Sequence, residues 1–190
     1  ARSKAAGEKA VLGAVPSAIV LRPSVMFGPD DQFTNRFATL ARALPMLPLI
    51  GGETRLQPAF VGDVALAIAD AVEGKARAAS IYELGGPEVL TLRQVQEFVL
   101  KTIERNRLLV PLPFALARLK AVFLQFAPGP LKLTPDQVEL LRSDNVVSQA
   151  AQDASLTLQG LGLSPTSIES VAPSWLWRFR RTGQFHTKLS

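Results

Sequence analysis

Residues 21–29 of this chain read LRPSVMFGP. The apolar, partly β-branched run from Ser17 to Met26 predicts a buried strand, and Gly28-Pro29 predicts the turn that follows it. Pro23 removes a backbone donor and stiffens the connection. In open α/β sheets, ligands bind where the chain leaves the carboxyl end of a strand. The segment therefore predicts either one wall of a ligand cleft or a proline-rich connection that binds nothing.

Strands and helices alternate along the chain, which predicts the α/β class. Most predicted helices begin at an Asp, Thr or Ser residue or end at Gly or Pro, as capped helices do. Residues 144–164 predict an irregular stretch with one short helical turn. Helices are predicted at 1–13, 32–44, 64–74, 92–105, 113–126, 135–143 and 166–177, and strands at 17–26, 47–50, 57–61, 80–84 and 108–112.

Composition excludes several classes of protein. With 190 residues and 47% hydrophobic content, the chain can form a sizeable core and is not a disordered protein. It has no cysteine and a single histidine, His186, which excludes disulfides, thiolate or histidine metal clusters and argues against a Ser-His-Asp triad. We therefore predict no metal site. The charge of +5 is dispersed apart from a basic cluster near the C-terminus, and no zinc-finger or RNP pattern occurs, so we expect no nucleic-acid partner.

Three other segments accompany residues 21–29 in a fixed order. Lys4 and Glu8 lie on an alanine-rich helix before it, PAFVGDVA follows at 58–65, and YELGGP follows at 82–87. The four segments resemble, in order and spacing, the YxxxK helix, the RPxxxxGP loop, the PhxVxDVA strand and the YxLGGP turn of extended and atypical short-chain dehydrogenases. This resemblance implies a Rossmann-like, doubly wound parallel sheet that binds NADP or NAD.

A finer resemblance covers roughly residues 1–150. The chain is similar to the NAD(P)H-binding accessory-subunit group of respiratory complex I and its bacterial relatives. Sugar epimerases usually carry Asn where this chain has Val25, so the resemblance argues against a nucleotide-sugar substrate. The strings that carry the similarity are FGPDDQFTNRFA (27–38), LPLIGG (47–52), PAFVGDVA (58–65), YELGGPEVLTLRQ (82–94) and LTPDQVELLRSDNVV (133–147).

The resemblance also implies a domain organisation. We expect residues 1–75 to form the C-terminal portion of the NAD(P)-binding domain, with some elements of the second lobe, and residues 76–190 to form a smaller, mostly helical substrate or docking lobe. The tyrosine of the YxxxK motif would fall immediately before Ala1, and the glycine-rich phosphate loop would lie further upstream. These 190 residues alone are therefore expected not to bind a dinucleotide tightly, and they do not decide between NAD and NADP.

The family motifs assign roles to four residues. Lys4 corresponds to the catalytic lysine, which holds the nicotinamide ribose and lowers the pKa of the tyrosine; a solvated helix lysine is the alternative. Pro23, Ser24 and Val25 correspond to the loop against the nicotinamide, so they are predicted to bind the cofactor.

Other residues are predicted to have structural roles. We expect Arg22 to form a buried ion pair and Asp63 to cap a helix. Arg36 and Arg55 are expected on solvated faces rather than on a phosphate. The remaining set is predicted to pack in the core: Phe33, Phe37, Phe60 and Phe98.

Three functions stay open at this point. In the first, the nucleotide serves structure or assembly, as the complex I resemblance implies. In the second, the protein is an active NAD(P)-dependent oxidoreductase, epimerase or dehydratase that uses the upstream tyrosine with Lys4. In the third, it is a docking module for a partner subunit or a membrane surface, through the apolar segment 108–126 and the Trp/Arg-rich end at 175–181, with a vestigial nucleotide site. The expected location is the cytoplasm or the mitochondrial matrix, including peripheral attachment to the inner membrane.

Overall fold

The computed structural model describes residues 2–183, in which short strands alternate with helices. The strands are β1 (Val20–Pro23), β2 (Met26–Phe27), β3 (Met46–Leu49), β4 (Arg55–Leu56), β5 (Ala59–Phe60), β6 (Ile81–Leu84), β7 (Leu90–Thr91) and β8 (Leu108–Pro111). The α-helices are α1 (Arg2–Ala14), α2 (Thr34–Ala43), α3 (Val61–Val72), α4 (Leu92–Thr102), α5 (Phe114–Leu124), α6 (Pro135–Leu140), α7 (Gln149–Asp153), α8 (Ile168–Val171) and α9 (Pro173–Leu176). Short 3₁₀ turns occupy Gly129–Leu131, Gln159–Leu161 and Trp177–Phe179.

The strands pair two by two, and three of the four described pairs are parallel. β1 pairs with β6, β2 with β5 and β3 with β8 in parallel, whereas β4 pairs with β7 antiparallel. The β1–β6 and β3–β8 pairs join residues on both sides of position 75, and the division into two lobes at that position stays a prediction.

The largest core cluster anchors the 21–29 segment. Phe27 is fully buried, with its ring centroid 5.6 Å from that of Phe60 and 6.5 Å from that of Trp175. The four phenylalanines predicted to pack, at positions 33, 37, 60 and 98, all lie against this cluster, which confirms that prediction. Aromatic burial of this kind contributes on the order of 2 kcal/mol per side chain, so Phe27 fixes the end of its loop firmly.

Helices α4 and α6 begin at threonine caps, as expected from the residues at their starts. Thr91 and Thr134 each form a capping box, in which the threonine hydroxyl accepts from the N3 backbone and the N3 glutamine side chain accepts in return. Pro135 then occupies the first turn of α6, where its missing N–H costs nothing.

Two predictions about the helices were wrong. Asp63 is not a cap, because the chain passes from β5 straight into α3 at Val61 and Asp63 falls inside the first turn. The predicted helix at 166–177 is two short helices, α8 and α9, because Pro173 cannot donate the hydrogen bond that would continue α8. No helix in the described part of the chain has the length and apolar character needed to cross a bilayer.

Candidate functional site

The predicted ligand loop, Pro23 to Val25, lies where β1 and β6 both end. Their parallel register pairs Pro23 with Leu84, so both carboxyl ends reach the same edge of the sheet. The N–H of Ser24 donates to the Leu84 carbonyl at 2.9 Å, and the Ala59 N–H donates to the Val25 carbonyl at 2.9 Å. The loop is therefore held by β6 on one side and by β5 on the other.

Residues 144–148, which we call the strap, cross the same edge beside the loop. The Ser24 hydroxyl donates to the carbonyl of Asn145 at 2.9 Å. Asn145 also continues the pairing of β4, since its N–H donates to the Arg55 carbonyl at 2.8 Å and its carbonyl accepts from the Gln57 N–H at 3.0 Å. The strap thus accepts the one hydrogen bond that the Ser24 hydroxyl can donate.

The side chain of Gln57 joins the strap to the YELGGP turn. Its Nε2 donates to the Gly86 carbonyl at 2.8 Å, and its Oε1 accepts from the Val147 N–H at 2.9 Å. A Cβ on Gly86 would lie 2.0 Å from the Pro58 carbonyl oxygen, so only glycine permits this approach of two backbones. The glycine in the motif is therefore required by packing at this edge of the sheet.

Arg22 links the sheet edge to α1. Its Nε lies 3.2 Å from Oε2 of Glu8, and its guanidinium is also 4.0 Å from the carboxylate of Glu83. The hydrogen bond from Arg22 to Glu8 raises the pKa of Arg22. The predicted ion pair is confirmed, but its predicted burial was wrong: the Arg22 side chain is 49% exposed because it stands at the rim of the sheet. Glu83 in turn accepts from the Ser148 N–H at 2.7 Å, which ties the strap to the same rim.

Lys4 lies one helical turn before Glu8 on the same face of α1. The chain reverses between α1 and β1, and Glu8 contacts Arg22, so the end of α1 that carries Lys4 lies beyond the carboxyl end of β1. Lys4 is exposed, and its ammonium pairs with no residue in the part of the chain that the structure describes. The structure thus brings Lys4 to the same end of the sheet as Pro23, Ser24 and Val25.

Two arginines expected on solvated faces make specific contacts. Arg55 pairs with Asp144, with 2.8 Å between Nε and Oδ2, while the Arg55 N–H donates to Oδ1 at 2.9 Å. These two hydrogen bonds lower the pKa of Asp144 and anchor the start of the strap. Arg36 is half-buried and donates to the carbonyls of Pro130 and Lys132, so the prediction for Arg36 was wrong, and burial lowers its pKa.

Sequence reasoning did not find Gln57 or the strap. The strap is 121 residues from Ser24 along the chain, and a run of Asp, Asn and Val carries no periodic signal. Residues 133–147 stand out only as part of the family resemblance, which identified the segment without its position in space.

Comparison with known families agrees with the motifs. The family model described as the RmlD substrate binding domain matches residues 1–134. The chain belongs to the RmlD substrate binding domain family. The matched range contains Lys4, the Pro23–Val25 loop, Gln57 and Gly86, but it ends before the strap.

The RmlD-family chain is also similar to complex I accessory subunits. It is 35% identical over 192 residues to the Arabidopsis thaliana protein named NADH dehydrogenase (ubiquinone) 1 alpha subcomplex subunit 9, mitochondrial, an alignment that covers 96% of this chain and 47% of the relative. The chain thus spans about half the length of the curated relatives that it matches. The predicted relationship to the short-chain-dehydrogenase relatives in complex I is confirmed.

Solved structures show the same fold. The UDP-glucose 4-epimerase of Thermotoga maritima, in complex with UDP-glucose, superposes with a TM-score of 0.58 at 19% identity, covering 86% of this chain and 46% of the epimerase. The dTDP-glucose 4,6-dehydratase of Bacillus anthracis, in complex with NAD, gives a TM-score of 0.56 at 16% identity over 88% of this chain and 46% of the dehydratase. At these identities the likeness shows fold alone, and it confirms the predicted α/β, Rossmann-like class.

Proposed function

We propose that this protein binds NADP or NAD and acts as a short-chain-dehydrogenase-like accessory protein of the complex I type, in which the nucleotide serves structure rather than turnover. One observation carries the proposal: the Glu8–Arg22 pair holds the Lys4 helix against the edge of the sheet where the Pro23–Val25 loop ends. The similarity to the mitochondrial complex I subunits supports the accessory role and a place beside other complex I subunits.

The proposed cofactor contacts differ among the loop residues. The two donors of Ser24, its N–H and its hydroxyl, are already bonded within the protein, to Leu84 and Asn145. The N–H of Val25, in contrast, donates to no residue between positions 2 and 183. We therefore assign Ser24 a positioning role and Val25 the backbone donor toward the nicotinamide, with Pro23 at the exposed side of the loop.

The residues present suit the nicotinamide end of the nucleotide. Within residues 2–183 the ammonium of Lys4 has no partner, so it could bond the ribose hydroxyls, which fits the family role of this lysine. No glycine-rich phosphate loop of the GxxGxxG type occurs in the 190 residues, so the phosphates would be bound by residues outside them. When bound, the nucleotide would supply hydride chemistry; the side chains described here would orient it and shield its ring.

Calorimetry with NADPH on the full-length protein tests this proposal. We expect binding that Lys4→Gln weakens roughly tenfold, because the substitution removes a charge-assisted hydrogen bond. Lys9→Gln is the matched control, since Lys9 is an exposed lysine of the same helix without a family role. Absence of NADPH and NADH binding, or equal weakening in both variants, would contradict the proposal.

A turnover assay separates this proposal from the active-enzyme alternative. Full-length protein that binds NADPH but does not oxidise it with carbonyl or quinone substrates would support a structural nucleotide. Sustained oxidation that Lys4→Gln abolishes would instead establish the oxidoreductase. The identity of the residue before Ala1 in the full-length protein adds an independent check, since a residue other than tyrosine or a similar acid would exclude the enzyme.

A second candidate function, docking, rests on α5. Positions 116, 119, 123 and 126 repeat at helical spacing, and their side chains form one exposed apolar stripe on and just after α5. Phe123 is 72% exposed and Phe126 84% exposed, whereas Ala117 and Ala121 on the opposite side are fully buried. Exposed aromatic stripes of this kind mark protein or membrane interaction sites.

Liposome flotation with anionic vesicles at low salt tests a membrane as the occupant. We expect the intact protein to float, and the double substitution Phe123→Gln with Phe126→Gln to stay at the bottom of the gradient. Val72→Gln is the matched control, because Val72 is equally exposed but lies on α3. A protein that does not float excludes the membrane and leaves a partner subunit as the occupant of α5.

A further inference from the structure

The strongest unassigned feature is a concavity beside Phe179 that is lined by two arginines and two aspartates. Arg42, in the last turn of α2, has its guanidinium carbon 6.0 Å from the centroid of the Phe179 ring. Arg178, in the final 3₁₀ turn, lies 5.2 Å from the same centroid. Both arginines line a concavity of about 560 Å³ together with Phe179. The other lining residues are polar or acidic: Asp30, Asp31, Gln32, Asn35 and Thr39.

Positive charge is concentrated beside this concavity. Arg105 donates through Nε to the Phe179 carbonyl at 3.0 Å, and Arg107 donates through Nε to the Ala41 carbonyl at 2.9 Å. Both guanidiniums are therefore fixed beside the backbone of Phe179 and the end of α2, next to the lining of the concavity rather than in it. The pKa of Arg105 is lowered by burial and by repulsion from Arg107, Arg181 and Arg42.

The oxygens of the acidic groups nearby are mostly bonded to groups other than Arg42 and Arg178. Asp31 already accepts four hydrogen bonds, from the backbone of residues 28, 33 and 35 and from the Thr34 hydroxyl, at 2.6–3.0 Å. Glu104 pairs with Arg180 at 3.5 Å. Asp30 is an exposed residue of the lining and forms no ion pair with Arg42 or Arg178 among residues 2–183, so no carboxylate occupies either guanidinium there.

Arg42, Arg107 and Arg178 all have structural roles, but those of Arg42 leave its N–H groups free of partners within residues 2–183. Basic side chains near a helix C-terminus offset the helix dipole, and Arg107 also bonds a terminal carbonyl of α2. Arg178 likewise donates to the Pro29 carbonyl at 2.5 Å. The guanidinium of Arg42 has no hydrogen bond or ion pair with the residues described, so all its donors remain available.

We propose that Arg42 and Arg178, on either side of Phe179, form a binding site for a small phosphate-bearing molecule. The planar guanidinium offers paired donors that match phosphate oxygens. The volume lies in the range of small-molecule sites, and its polar walls suit the uncharged hydroxyl part of such a ligand better than an acyl chain. The site is independent of the proposed nucleotide site and stands or falls separately from it.

Calorimetry on the purified protein with glycerol 3-phosphate tests the proposal, with glycerol as the neutral counterpart. We expect saturable binding that glycerol does not show and that Arg42→Gln weakens at least roughly tenfold. Arg118→Gln, an exposed arginine on α5, should bind like the wild type. Arg42→Lys keeps the charge without the paired donors, so its affinity should lie between that of the wild type and that of Arg42→Gln. Bound ligand should also raise the melting temperature, more than sodium chloride of matched ionic strength.

Several outcomes would overturn the proposal. The first is the absence of saturable binding of glycerol 3-phosphate at about 10 mM, a concentration that would reveal even millimolar affinity. The second is equal weakening of binding by Arg42→Gln and Arg118→Gln, which would indicate diffuse electrostatic attraction of the phosphate rather than a specific site. Binding confined to phosphatidic acid vesicles, without binding of glycerol 3-phosphate, would reassign the surface to a lipid headgroup and would equally refute the small-molecule site. Unchanged melting temperatures of the unliganded variants confirm that they fold.

Discussion

Gly86 shows how closely two backbones approach at the proposed cleft. A side chain there would meet the Pro58 carbonyl oxygen at 2.0 Å, and the glycine carbonyl also accepts from Gln57 at 2.8 Å. Neighbouring backbone cannot move aside without breaking the pairing of β2 with β5, which begins at Ala59. The absence of a side chain at Gly86 therefore maintains the edge of the sheet that the loop and the strap share.

We predict that Gly86→Ala lowers the free energy of unfolding by about 3 kcal/mol, because a methyl group does not fit against backbone. Urea denaturation of both proteins measures this change. Gly7→Ala is the control: Gly7 lies inside α1 with nothing within 4 Å of its added Cβ, so alanine should stabilise by about 0.5 kcal/mol. A Gly86→Ala protein as stable as the wild type would show that the two backbones separate easily.

At the scale of elements, the strap decides how the loop is presented. It pairs with β4 through Asn145, is fixed to Gln57 through Val147, and begins at the Arg55–Asp144 ion pair. Surface ion pairs contribute little on their own, so the backbone pairing holds the strap and the charge pair sets its starting point. The Pro23–Val25 loop therefore depends on a segment that is itself neither helix nor strand.

The ion pair gives the strap a pH dependence whose sign follows from the lowered pKa of Asp144. The stabilisation that the Asp144 carboxylate provides is fully present above its ordinary pKa of 3.8. It is lost as the pH falls through the lower pKa that Asp144 has in the folded protein. We predict that the amide of Asn145 loses protection from hydrogen exchange below that range, after correction for intrinsic rates. In Asp144→Asn the protection should be weaker at neutral pH and should not change in acid. Identical profiles in the two proteins would refute the role of the pair.

At the scale of the whole molecule, a buried carboxylate joins parts of the chain that are far apart in sequence. Asp63 accepts from the N–H of Thr166 at 2.6 Å and from its hydroxyl at 3.0 Å, across 103 residues. The contact ties the first turn of α3 to the segment that leads into α8 and α9, whose Trp175 packs on Phe27. The last helices and the candidate site thereby belong to one connected structure.

We predict that Asp63→Asn lowers the free energy of unfolding by about 2 kcal/mol, because a neutral amide forms weaker hydrogen bonds and presents a donor where an acceptor is needed. Thermal unfolding followed by circular dichroism measures it. Asp70→Asn, also on α3, breaks a pair with the exposed Lys75 just after that helix and should change stability by less than about 1 kcal/mol. Equal effects of the two substitutions would mean that the link between α3 and Thr166 does not support the fold.

Local physics made much of this protein predictable. The alternation of strands and helices, the capping boxes of Thr91 and Thr134 and the packing positions of the phenylalanines depend on residues within a few positions of one another, so the sequence alone determined them. The order of the family motifs likewise determined the fold class, which the relatives confirm.

Only the tertiary structure decided the partners of the polar side chains. Asp63 is a residue type that often caps helices, but it accepts hydrogen bonds from Thr166. Arg36 was expected to be solvated, but it donates to the turn at 130–132. Ser24 donates to the strap, a segment whose sequence carries no periodic signal. Each partner lies about 90 to 120 residues away along the chain. The donor–acceptor distance of a hydrogen bond must be correct to within a few tenths of an ångström. Between segments that are remote in sequence, this distance is fixed only when the core has packed.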